Sequence, residues 1–182
     1  MPRVFCAEYK TQMDTSDADQ RVTVRSGEVM SRIEHDVIIE HPVEVVFPYV
    51  ANPEVYPQWQ SGFLEAKITS EGPIGVGTTF RAVHEMAGRR IEVDNEVTAF
   101  QPNKIFAFRS TSGNLATVGL ITLQPAGEGT RARLAFEAQF GGFFRLAEPL
   151  AARLIKRQQQ ADIEELKKLL DAATGGLAHV HE

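Results

Sequence analysis

One long amphipathic pattern, FRLAEPLAARLIKRQQQADIEELKKLLDAA, runs from Phe144 to Ala173. Wound as an α-helix, it places Ala147, Leu150, Ala151, Leu154, Ile155, Ala161, Leu166 and Leu169 on one broad apolar stripe. Arg153, Lys156, Gln160, Glu164 and Lys167 fall opposite. A stripe that wide needs an apolar surface to lie on. Gln158 interrupts it near its middle, with Asp162 one turn on. Either the helix covers a solid core with those two at its edge, or it roofs a cavity with a polar spot inside.

The surface comes from period-2 segments upstream. Residues 32–40 (RIEHDVIIE) put Ile33, His35, Val37 and Ile39 on one face. HPVEVVFPYVANPEVYPQW then predicts two short helices. Pro42 suits a first turn, Pro48 ends or kinks that helix early, and Asn52-Pro53 opens the second, which Pro57 limits. Six strands follow: GFLEAKITSEG from Gly62, then 78–87, 90–100, 104–110, 115–124 and 130–140. The short turns between them imply an antiparallel meander.

The alternations agree with one another. A loop at Gly88-Arg89 pairs Met86 with Ile91, Ala82 with Asn95 and Phe80 with Val97. The apolar face Phe80, Ala82, His84, Met86 then matches Ile91, Val93, Val97, Ala99. A turn at Pro102-Asn103 brings Phe106 and Phe108 to that face and sets Glu96 against Arg109 outside. Thr117, Gly119 and Ile121 follow inward, with Leu134, Phe136, Ala138 and Phe140. Gly119 and Ala138 are small and would leave room beneath the helix.

His84 is the candidate catalytic residue, with Asn95 its diagonal neighbour in that register. The alternatives are a hydrogen-bonded core pair or a sheet-end histidine reaching water. His35 has the same inward phase, but its place near a strand start predicts exposure at a sheet end. Trp59, Tyr56 and Phe47 would cluster at a cavity mouth or simply pack. Arg81, Arg131 and Arg133 belong to the charged outer face. The loop SEGPIGVGTTF lacks both glycine-rich phosphate-binding patterns. The run His179-Val180-His181-Glu182 is a poor metal site at a chain end, so neither metal nor cofactor is expected.

The 182 residues suit one domain at 31–174, between a polar, flexible tail at 1–30 and a short tail at 175–182. The net charge of −5 argues against nucleic-acid partners. No apolar run is long enough to span a bilayer, so stable membrane insertion is not expected. No apolar leader opens the chain, and the lone Cys6 makes no intrachain disulfide. The reading is cytoplasmic, and a homodimer stays open.

A strand, two short helices, six more antiparallel strands and a long helix give an α+β helix-grip order. It is a seven-stranded antiparallel sheet curved around the C-terminal helix. The stretches HPVEVVFPYVANPEVYPQW, SEGPIGVGTTFR, EVTAFQPNKIFAFRS and LQPAGEGTRARL resemble the polyketide cyclase/dehydrase-like branch of the START-like (SRPBCC) superfamily, over roughly residues 31–172. The resemblance implies a hydrophobic cavity between sheet and helix, on the order of several hundred Å³. Trp59, Phe80, Val97, Phe106, Phe108, Thr117, Phe136 and Leu154 would contact a small hydrophobic ligand there, such as a lipid, polyketide or quinone. His84, Asn95 and Gln158 would supply polar contacts. A cyclase or dehydratase using His84, and an accessory protein of a membrane or redox complex, are the alternatives.

Overall fold

The computed structural model describes residues 30–86, 88–112, 116–139 and 148–175. The segments read as tails, together with Cys6, Phe140 and the terminal histidines, lie outside the described residues, apart from Met30 and Gly175. Strand β1 (Met30–Ile39) leads into helix α1 (Val43–Val50) and a 3-10 helix (Pro53–Gln58). Six strands follow: β2 (Phe63–Ile68), β3 (Thr79–Met86), β4 (Arg89–Gln101), β5 (Ile105–Ser110), β6 (Ala116–Ala126) and β7 (Gly129–Gln139). Helix α2 (Glu148–Gly175) closes the order. The helix-grip architecture expected from the sequence is present.

All seven strands form one sheet in the order β1-β7-β6-β5-β4-β3-β2. Sequence neighbours pair as hairpins from β2 to β7, and β1 returns to pair with β7. Pro42 caps α1, as its fixed φ suits. Pro48 is carried inside α1, which ends two residues later, as an eight-residue helix loses few backbone bonds to it. Asn52 caps the 3-10 helix by accepting from the Glu54 amide at 3.0 Å.

Two details of register differ from the sequence reading. Met86 pairs with Arg89, so Ala82 faces Val93 and Phe80 faces Asn95. Gly88 stands at the turn between the two strands and supplies the positive φ of 72° that a tight hairpin turn requires. The slip is two residues, so every side chain keeps its face and alternation alone could not detect it. The second difference is a bulge between Val97 and Ala99. Beyond it Phe100, not Ala99, shares a face with Phe106 and packs edge-on against Phe47 at 5.5 Å. The expected Glu96–Arg109 pair forms at 3.0 Å.

The core lies between the sheet's concave face, α1 and the second half of α2. Ile39, Val46, Val50, Tyr56, Phe80, Val97, Phe106, Ile121, Leu166 and Leu170 are fully buried in it. Gly119 opens no space: a Cβ there would overlap the ring of Phe108, which already lies on it. The buried stripe of α2 also differs from the expected one. Ile163, Leu166 and Leu170 are buried and Ala161 is exposed. Placed at 3.6 residues per turn, the apolar stripe of the helix's first half is rotated by about 100° from that of its second. One averaged stripe therefore misplaces the residues between the two halves.

Candidate functional site

The site starts with the polar residues next to that rotation. Gln158 is exposed and donates from Nε2 to Ser61 Oγ at 2.8 Å. Gln159, one residue on, is half-buried, and its Oε1 is buried without a hydrogen-bond partner. It faces a recess lined by His35, Trp59, Gln60, Leu134, Phe136, Gln159, Asp162 and Ile163. The recess measures about 30 Å³, room for a water or a small polar group but not for a ring.

Each wall is fixed by local structure. His35 of β1 pairs across the sheet with Leu134 of β7. Trp59 caps the 3-10 helix, its amide donating to Tyr56 O at 3.1 Å, and the Gln60 amide donates to the same carbonyl at 2.7 Å. Tyr56 anchors that turn. Its hydroxyl donates to Val50 O at 2.9 Å, and its ring meets Trp59 edge-on at 5.7 Å. Full burial raises the Tyr56 pKa far above the ordinary phenol value, so the hydroxyl stays a donor. From α2, Asp162 Oδ1 accepts from the Ser61 amide at 3.1 Å and from Ser61 Oγ at 2.6 Å. The turn after the 3-10 helix is thereby tied to α2 beside the recess.

Four of the residues that line it carry buried polar atoms without partners: His35 Nε2, Trp59 Nε1, Gln60 Nε2 and Gln159 Oε1. Trp59 is only 3% exposed. Buried polar groups are nearly always hydrogen-bonded, so this set of orphans on the residues of one recess singles it out as the candidate site. The sequence reading set His35 at an exposed sheet end. Its side chain is instead half-buried and its Nε2 fully so, because Trp59 and α2 cover that end of β1.

The other residues read from the sequence are distributed differently. Trp59 and Phe136 line the recess. Phe80, Val97, Phe106 and Phe108 are buried in the core, and Thr117 is half-buried on β6. The side chain of Leu154, with those of Leu150, Ala151 and Ile155, lies outside the described residues. His84 and Asn95 are not brought together. His84 pairs with Ile91, lies against Phe63 at 4.3 Å, and its Nδ1 is 3.2 Å from Gly62 O. Burial lowers its pKa, partly offset by that backbone contact. Asn95 is buried and donates to Val93 O at 3.0 Å. Phe47 packs edge-on against Phe100 and Tyr56 against Trp59, and all belong to one core cluster. Gln60 and Gln159 were missed. The only signal for them was position, each adjoining a residue already singled out.

Among the described residues no group of three or more His, Cys, Asp or Glu could hold a metal ion. Among the same residues no helix is long and apolar enough to cross a membrane. A seven-stranded antiparallel sheet gripping one long helix is the START-like fold. Over residues 30–171 the sequence matches the model for polyketide cyclase / dehydrase and lipid transport proteins, and the chain belongs to that family. Against curated proteins it finds no match. Among solved structures, protein TTHA0849 of Thermus thermophilus is 20% identical, with a TM-score of 0.67, over 79% of this chain and 99% of the other. A START superfamily protein of Mycobacterium smegmatis is 15% identical, TM-score 0.66, over 78% and 98%. The Zhui aromatase/cyclase of Streptomyces is 17% identical, TM-score 0.63, over 79% and 94%. At these identities the likeness is one of fold.

Proposed function

We propose that this protein binds a small hydrophobic molecule between its sheet and α2, with one polar end of that molecule seated in the recess. The observation that carries the reading is the set of unpartnered buried atoms on His35, Trp59, Gln60 and Gln159. Apolar walls from Leu134, Phe136 and Ile163 adjoin them, the usual make-up of a small-molecule site. Family membership supports a ligand-binding or cyclase role. Native mass spectrometry of the purified protein tests the reading. A retained apolar molecule, released on denaturation, is the expected result. A bare protein that binds no hydrophobic probe refutes it.

A catalytic reading has one observation of its own: His35 lines the recess, with its Nε2 buried and unpartnered. Asp162, the one carboxyl group of the described lining, is hydrogen-bonded to Ser61. Binding is therefore the stronger reading. Replacing His35 by Gln separates the two, since a cyclase would lose turnover while keeping its ligand and a carrier has no turnover to lose.

A further inference from the structure

Trp59, Gln60, Ser61 and Gly62 form a short strap between the 3-10 helix and β2. Its first two residues line the recess. The strap is held from two sides. From α2, Asp162 Oδ1 accepts from the amide and the hydroxyl of Ser61, and Gln158 Nε2 donates to that hydroxyl. From β3, His84 Nδ1 lies 3.2 Å from Gly62 O. Phe63, the next residue, lies against the His84 ring at 4.3 Å and meets Tyr56 edge-on at 5.2 Å. Of the side chains that fasten the strap, histidine is the one whose charge ordinarily changes between about pH 5 and 8.

His84 is half-buried, so a charge on its ring is costly. Burial lowers its pKa, and the Gly62 carbonyl offsets this in part. Among the described residues no charged side chain acts on the ring. Glu85 and Arg90 lie on the exposed outer phase of β3 and β4, with Arg90 3.6 Å from Glu65. On α2, Asp162 is taken up by Ser61. A proton on His84 therefore favours conformers in which the ring reaches water, and these give up Gly62 O and the face of Phe63. We propose that His84 is an acid-sensitive pin for this strap: once it is protonated, Trp59–Gly62 lifts and opens that wall of the recess while the sheet stays in place. The strap suits local opening, because side chains rather than a backbone ladder tie it to α2 and β3. The opening itself needs no ligand. Where the proposed function holds, acid also speeds release of the bound molecule.

Trp59 is the chain's one tryptophan and is 3% exposed, so its fluorescence reports on the strap directly. The test follows acrylamide quenching of the full chain from mildly alkaline to mildly acid pH, with far-UV circular dichroism on the same samples. The expected result is a several-fold rise in the quenching constant as pH falls through a value below 6.5, with the dichroism unchanged. In His84→Gln, whose amide can donate to Gly62 O but takes no proton, the rise is absent. His35 also lines the recess, and in His35→Gln the rise remains. If His84→Gln does not fold, the His84 ring is titrated by NMR in the unaltered protein, and its midpoint coincides with that of quenching. Quenching that ignores pH overturns the proposal, as does a rise that survives in His84→Gln, vanishes in His35→Gln or comes only with loss of the dichroism. A Trp59 that becomes less accessible in acid overturns it too, since the charged ring would then hold Gly62 O more tightly. None of these outcomes bears on the binding function, which native mass spectrometry decides separately.

Discussion

At the level of single residues, two histidines exchange the places that the sequence suggested for them. His84 lies on the apolar phase of β3, but its Nδ1 faces Gly62 O and its ring lies against Phe63. Its consequence is for stability. Burial lowers its pKa below the ordinary 6.5, so the unfolded chain takes up the proton first on acidification. The stabilisation is therefore complete above pH 6.5 and is lost as pH falls through the lower folded value. Urea midpoints measured from mildly alkaline to mildly acid pH should fall across that window. In His84→Gln the fall should be shallower; an unchanged slope would assign the titration to other groups. Gly119 belongs to the same scale. Its hydrogen is what lets Phe108 lie flat on β6, so Gly119→Ala forces the ring off its position. A loss of about 1–3 kcal/mol, read from chemical denaturation, is expected from overpacking of this kind.

At the level of elements, the strands were the legible part of the sequence. Alternation assigned the faces of β3, and of β4 as far as Val97, correctly because a side chain's face depends only on parity. What alternation cannot carry is an even slip or an extra residue. That is why the two-residue shift in register at the Gly88 loop and the bulge at Thr98 appeared only in the structure. The site was harder to read because it depends on the rotation of α2. Gln158 and Gln159 are adjacent and chemically identical, yet one binds Ser61 outside and the other faces the recess. Only the docking of Ile163, Leu166 and Leu170 decides between them. Helix and turn are further joined by Ser61–Asp162, whose hydroxyl and amide both reach Oδ1. A double-mutant cycle of Ser61→Ala and Asp162→Ala should show a coupling of about 1 kcal/mol in stability. Because this contact borders the recess, the single variants should also speed ligand exchange. Additive effects on stability would mean that α2 is held there by its apolar face alone.

At the scale of the whole molecule, α2 plays two roles along its length. Its C-terminal half is part of the permanent core, with Leu166 and Leu170 at 0% exposure. Upstream, Gln159 and Asp162 line the recess, four of whose residues carry buried polar atoms without partners. On the proposed function, part of the fold's stability rests on what fills that space. A ligand that binds the native but not the unfolded chain adds RT ln(1 + [L]/Kd), roughly 2.7 kcal/mol at a hundredfold excess over Kd. For a domain of this size, that predicts a Tm rise of somewhat more than about 5 °C on ligand saturation. Scanning calorimetry of stripped and refilled protein measures it. The same experiment on Leu170→Ala separates the two halves of the helix. That variant should lose about 2–5 kcal/mol by opening a core cavity, yet keep the full ligand-induced increment. If the increment were lost as well, the core and the binding half of α2 would move as one unit, and the division along the helix would be wrong.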